Sequence, residues 1–111
     1  MPSISTHVLN SENGTHVAGL TVTLTHIGPD GAKKTMFSEK TDAGGRLLED
    51  FIFPLTSNEI FEIEFKLSDI HMKKKGIYCR DIIFRVSFSS KNEKFHIPII
   101  VSQNGASSWW T

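Results

Sequence analysis

At 111 residues the chain has room for one domain, over 1–111, with a single modest core. Its 12 Lys+Arg balance 12 Asp+Glu, so no net field draws it to nucleic acid or to an anionic membrane. Hydrophobic content of 39% and charged content of 22% match an ordinary globular domain, and no apolar run approaches the length of a bilayer span. Met-Pro-Ser-Ile-Ser-Thr-His at the start has neither the basic segment nor the apolar stretch of an export signal. The one cysteine, Cys79, excludes an intrachain disulfide and points to a reducing compartment, the cytoplasm.

The first strand-like run is Ile4-Ser5-Thr6-His7-Val8-Leu9, in which His7 shares a face with Ser5 and Leu9, opposite Ile4, Thr6 and Val8. Val17–Ile27 alternates next, with Leu20, Val22 and Leu24 on one side and three threonines on the other. Gly28-Pro29-Asp30-Gly31 and Asp42-Ala43-Gly44-Gly45 read as turns between strands. Ile60–Leu67 then turns Phe61, Ile63, Phe65 and Leu67 inward, and Ile82–Phe88 does the same through Ile82, Phe84, Val86 and Phe88. Between these lies a short helix near 68–75, with Ser68 as N-cap, Asp69 in the first turn, Lys73-Lys74-Lys75 in the last and Gly76 as the stop. Ser57-Asn58 and Ser89-Ser90-Lys91-Asn92 are polar connectors. Phe95–Val101 is nearly all apolar, as in a strand covered on both faces, and Pro98 within it predicts an edge or a break in pairing. Short strands at regular spacing with one brief helix predict an all-β sandwich.

Three residues stand out chemically. His7 and His96 each interrupt an apolar strand, where a buried polar ring has to be hydrogen-bonded or put to use. Arg46 follows a glycine pair at the start of a strand. Taken singly, each is more often a structural residue than a catalytic one. His16, His26 and His71 are scattered without metal-ligand spacing, and no second cysteine is present to help hold zinc, so no metal is expected. Cys79 beside Arg80 reads as a buried or incidental thiol rather than a nucleophile. No serine sits in a G-x-S-x-G elbow, and no glycine-rich loop joins a strand to a helix.

In order and spacing, four segments resemble the transthyretin-like family, and within it the 5-hydroxyisourate hydrolases of urate breakdown. They are Ser5-Thr6-His7-Val8-Leu9, Val17–Leu24, Thr41-Asp42-Ala43-Gly44-Gly45-Arg46 and Phe95-His96-Ile97-Pro98-Ile99-Ile100-Val101-Ser102. The resemblance implies an eight-stranded sandwich of two four-stranded sheets with one short helix, assembled as a homotetramer with its sites at subunit contacts. It implies no cofactor. It also implies that His7, Arg46 and His96 are catalytic, opening the ring of 5-hydroxyisourate to 2-oxo-4-hydroxy-4-carboxy-5-ureidoimidazoline. The family's hydrolases close their site with a Tyr-Arg-Gly-Ser tail. Here the stretch reads Ser108-Trp109-Trp110-Thr111, with Trp109 for the Tyr, Trp110 for the Arg and Thr111 as the last hydroxyl. Ser108, Trp109 and Thr111 are therefore the expected substrate-binding residues. Tyr78-Cys79-Arg80-Asp81 also lacks the proline usual in that stretch. The two tryptophans suit a second reading, a non-catalytic member that binds a small aromatic or anionic ligand in a channel between subunits.

Overall fold

The computed structural model describes residues 2–53, 59–70, 76–88 and 94–111. The alternating runs become strands because β-branched and aromatic residues fill one side of a pleat while polar residues fill the other. In chain order they are β1 (Ser3–Asn10), β2 (Thr15–His16), β3 (Thr21–Ile27), β4 (Lys33–Lys40), β5 (Arg46–Asp50), β6 (Ile60–Phe65), β7 (Ile82–Ser87), β8 (Lys94–His96), β9 (Ile99–Ser102) and β10 (Gly105–Ser108).

One sheet runs β4-β3-β6-β7, all antiparallel. In the other, β1 is the spine. Its first half pairs with β5 and its last residues with β2; on the other side it pairs in parallel with β8 and then β9, and β10 closes the edge. Ile4, Val8, Ile97, Ile99 and Val101 of this sheet are buried against Val22, Leu24, Phe61, Ile63 and Phe65 of its partner.

The two-sheet sandwich follows the sequence pattern; the strand count of four and four does not. The second sheet has six strands among the described residues, for two reasons. Pro98 lacks a backbone donor and splits the H-x-P segment into β8 and β9. The short β2 and β10 are polar and exposed over most of their length, so no alternation announces them. The β9 side chains alternate between buried and half-buried, so this strand is covered on one face within the chain rather than on both.

The predicted helix does not begin at Ser68. Leu67–Asp69 form a single 3-10 turn with no side-chain cap, and Ile70 is already extended (φ −81°, ψ 130°). Asp69 Oδ2 instead accepts the Thr21 N–H at 2.9 Å at the start of β3, and the Ile70 side chain is buried. The remainder of that helix, Lys73–Lys75 included, lies outside the described residues, as do the connectors at 57–58 and 89–92 and His71.

Candidate active site

On β1, Ile4, Thr6 and Val8 point into the sandwich, so Ser5, His7 and Leu9 point away from it. The expectation of buried histidines is thereby corrected. His7 is half-buried and His96 exposed, both on the outer face of the sheet. Two registers bring distant residues together there. His7 lies opposite Arg46 in the antiparallel β1–β5 pair, and Ser5 lies beside His96 in the parallel β1–β8 pair. Strand spacing and rise then set His7 and His96 about 8 Å apart at Cα, with Arg46 one strand further across.

The Arg46 backbone is fixed by the turn before it. Asp42 Oδ1 accepts the N–H groups of Gly44 and Arg46, each at 2.9 Å, and Asp42 and Arg46 also exchange a backbone bond of 2.8 Å. The Arg46 N–H bond, the Gly44 N–H bond and the nearby Arg46 and His7 charges hold the Asp42 carboxyl below its usual value, against a smaller opposing effect of burial. The Arg46 guanidinium makes no hydrogen bond or ion pair with the described residues, so its forked donors remain available. Gly45 lies where β1 changes partners: its carbonyl accepts the Val8 N–H at 2.8 Å, and the Val8 carbonyl accepts the Val17 N–H at 2.9 Å.

His96 Nδ1 is 2.8 Å from Ser5 Oγ, which also reaches the Phe95 carbonyl at 3.4 Å. Behind it, the buried Thr6 hydroxyl donates to the Ile97 carbonyl at 2.6 Å and ties β1 to the segment that Pro98 interrupts. Thr6→Val leaves that carbonyl unpaired in the interior. A loss of about 1–3 kcal/mol is expected in a urea melt.

His7 has a neighbour that sequence reasoning set aside. His16 on β2 places Nδ1 2.8 Å from His7 Nε2, with ring centroids 4.9 Å apart and planes inclined by 27°. Asn13-Gly14 ahead of β2 is a hairpin dipeptide that could have disclosed this pairing. Partial burial, followed by the charges of Arg46 and His16 and a smaller effect of His96, lowers the His7 pKa from its ordinary 6.5, while a bond to the Gly44 carbonyl partly opposes this. His7 is therefore a neutral base at neutral pH. His26 serves the fold, bonded to Glu59 at 2.9 Å and packed on Phe53 and Phe61.

The chain beyond β10 runs back along β8. Thr111 and His96 exchange both backbone bonds, at 3.1 and 3.2 Å, in the register that pairs Ser108 with Ile99. That register sets Thr111 on the site face beside His96 and Trp109 opposite Pro98, one row nearer His7. Ser108 is turned the other way, and its hydroxyl donates to the Pro98 carbonyl at 2.7 Å. It anchors this segment rather than facing the histidines. Trp110 lies away from the site too, lining a cavity of about 250 Å³ with Phe84, Val86, Phe95 and Ile97. A larger cleft, about 450 Å³ between Ile77–Cys79 and Ser102–Ala106, contains none of the site residues. Cys79 at its rim is exposed, not buried, and its thiol donates to the Asp81 carbonyl. No group of three or more metal-binding side chains occurs among the described residues, and none of their helices is long and apolar enough to cross a membrane.

Similarity to known proteins agrees with this architecture. The chain is 26% identical to a 5-hydroxyisourate hydrolase of Halalkalibacterium halodurans, over 96% of its own length and 94% of that protein's. Among solved structures, the 5-hydroxyisourate hydrolase of Klebsiella pneumoniae superposes with a TM-score of 0.71 at 23% identity, covering 100% of this chain and 99% of that one. Sea bream transthyretin in complex with thyroxine gives 0.76 at 12%, covering 97% and 93%. An (S)-allantoin synthase gives 0.79 at 19%; the match takes in 99% of this chain but only 43% of that one. The HIUase/Transthyretin family model matches residues 4–110, and the chain belongs to that family.

Proposed function

We propose that this protein is a 5-hydroxyisourate hydrolase, acting as a homotetramer with His7, Arg46 and His96 as its catalytic residues and Trp109 and Thr111 lining the substrate side. The observation that carries the proposal is the gathering of Arg46, His7 and His96 from β5, β1 and β8 onto one outward sheet face. The hydrolase relative at 26% identity supports it.

The Arg46 guanidinium, unpaired among the described residues, suits an anionic substrate and the oxyanion that forms on the attacked carbonyl. A neutral imidazole removes a proton from water as the water oxygen bonds to that carbonyl carbon. The ring C–N bond then breaks, and the departing nitrogen takes a proton from the second imidazole. The lowered pKa of His7 suits its side of the site to the first task and keeps it competent somewhat below pH 6.5. Leu48 and Trp109, both well exposed on this face, are covered when a second copy packs there, and an assembly-deficient monomer is expected to be inactive.

The test follows freshly generated 5-hydroxyisourate by its ultraviolet absorbance. The wild type is expected to speed its disappearance well beyond the spontaneous rate, with kcat/KM falling on the acid side only below the ordinary imidazole value. Arg46→Ala is expected to lose about 10²–10³-fold. A carrier reading draws on Trp109, set on the site face, and on the thyroxine-bound neighbour of the same fold. An inert wild type whose tryptophan fluorescence still responds to a bound aromatic anion would establish that reading instead.

A further inference from the structure

His16 lies outside the trio, yet its ring touches His7. A hydrogen bond between two imidazole nitrogens needs one N–H and one lone pair, so the 2.8 Å contact between His7 Nε2 and His16 Nδ1 holds a single proton. The Gly44 carbonyl accepts a second His7 bond and takes the remaining ring N–H, at Nδ1. His7 Nε2 then carries the lone pair, and His16 Nδ1 carries the proton between the rings. Both His7 nitrogens are engaged. The nitrogen of the pair with no partner among the described residues is Nε2 of the exposed His16, left with its lone pair facing outward.

We propose, on the hydrolase reading given above, that His7 works as the inner half of a two-imidazole relay whose outer atom, His16 Nε2, takes the proton of the attacking water. As the water oxygen bonds to the substrate carbonyl carbon, the carbonyl π pair moves to oxygen beside Arg46. The water proton goes to His16 Nε2, and the His16 Nδ1 proton shifts toward His7 Nε2, so the pair gains one proton in all. When the C–N bond breaks, its electron pair stays on nitrogen, which takes a proton from His96 in its imidazolium form. Exchange of one proton with solvent at each centre restores the starting state.

The groups around the pair fit this role. Arg46 on β5 and His96 on β8 both oppose positive charge at His7, which favours proton uptake at the outer ring, and Asp42, in the turn before β5, is an acidic group on that side.

The test uses His16→Gln, whose amide can still donate to His7 Nε2 but cannot accept a proton. His16 is exposed on a two-residue strand, so the variant is expected to keep the wild-type Tm. On the relay, kcat falls about 10²-fold with KM little changed. If His16 merely orients His7, glutamine restores wild-type kcat and the relay is overturned. Imidazole 15N NMR supplies a readout that needs no substrate. His7 in the glutamine variant should take up its proton at higher pH than in the wild type, because the His16 ring beside it is one cause of its lowered pKa. A His7 titration that is the same in the wild type and the glutamine variant overturns the shared proton. A wild type inert toward 5-hydroxyisourate ends the hydrolase reading and the relay with it, while the titration still decides whether the rings share a proton.

Discussion

Replacing His96 by Asn is expected to lower kcat about 10²–10⁴-fold, the usual contribution of one positioned acid or base, with the melting temperature nearly unchanged. The ring is exposed, and its one side-chain bond among the described residues, to Ser5, is one that an asparagine amide can also make. What asparagine cannot do is change protonation state near neutral pH. Loss of activity without loss of stability would separate a chemical role from a packing role. His7→Asn is expected to be comparably inactive. Stopped-flow decay of 5-hydroxyisourate, measured beside thermal melts, checks both. Activity within a few-fold of wild type in either variant would remove the general acid–base account.

The second large effect falls on stability. Gly45→Ala is expected to cost about 2–5 kcal/mol, combining left-handed strain of about 1–2 with overpacking of about 1–3. Gly45 has φ +74°, and a Cβ there would lie 2.6 Å from the Val8 carbonyl oxygen and 3.0 Å from both the Val17 nitrogen and His16 Cβ. Two of these three are backbone atoms already hydrogen-bonded to each other, so neither can yield. Gly44→Ala is the control. It lacks a left-handed φ, and its Cβ would meet only Asp42 Oδ1, at an ordinary 3.5 Å. Adjacent glycines should thus give opposite outcomes in a thermal melt, with Tm lowered by about 10 °C or more for Gly45→Ala and little changed for Gly44→Ala.

Strands whose inward side chains are large and apolar could be read directly from the sequence. β1, β3, β6 and β7 all obey the alternation, and Pro98 disclosed the break between β8 and β9. β2 and β10 could not be read this way, because their residues are polar or small and their structure comes from pairing with β1 and β9. Alternation also divides residues between two faces without saying which face is inside. His7 and His96 were expected to be buried because their neighbours are apolar, yet those same neighbours claim the interior and turn the imidazoles out. Each residue of the trio stands out in its own segment, but only the family resemblance joins them, since nothing local in three separated segments announces that β1 lies between the other two. His16 escaped because two histidines nine positions apart look unrelated until a hairpin folds one over the other.

β1 pairs with partners about 91 positions later in the chain, as the Ser5–His96 bond shows. During synthesis the first strand therefore waits, unpaired on its parallel side, until β8 and β9 have left the ribosome. The pocket cannot exist on any shorter nascent chain. Folding of so non-local a sheet is expected to be slow, and truncations before residue 94 should expose the edge of β1 to self-association.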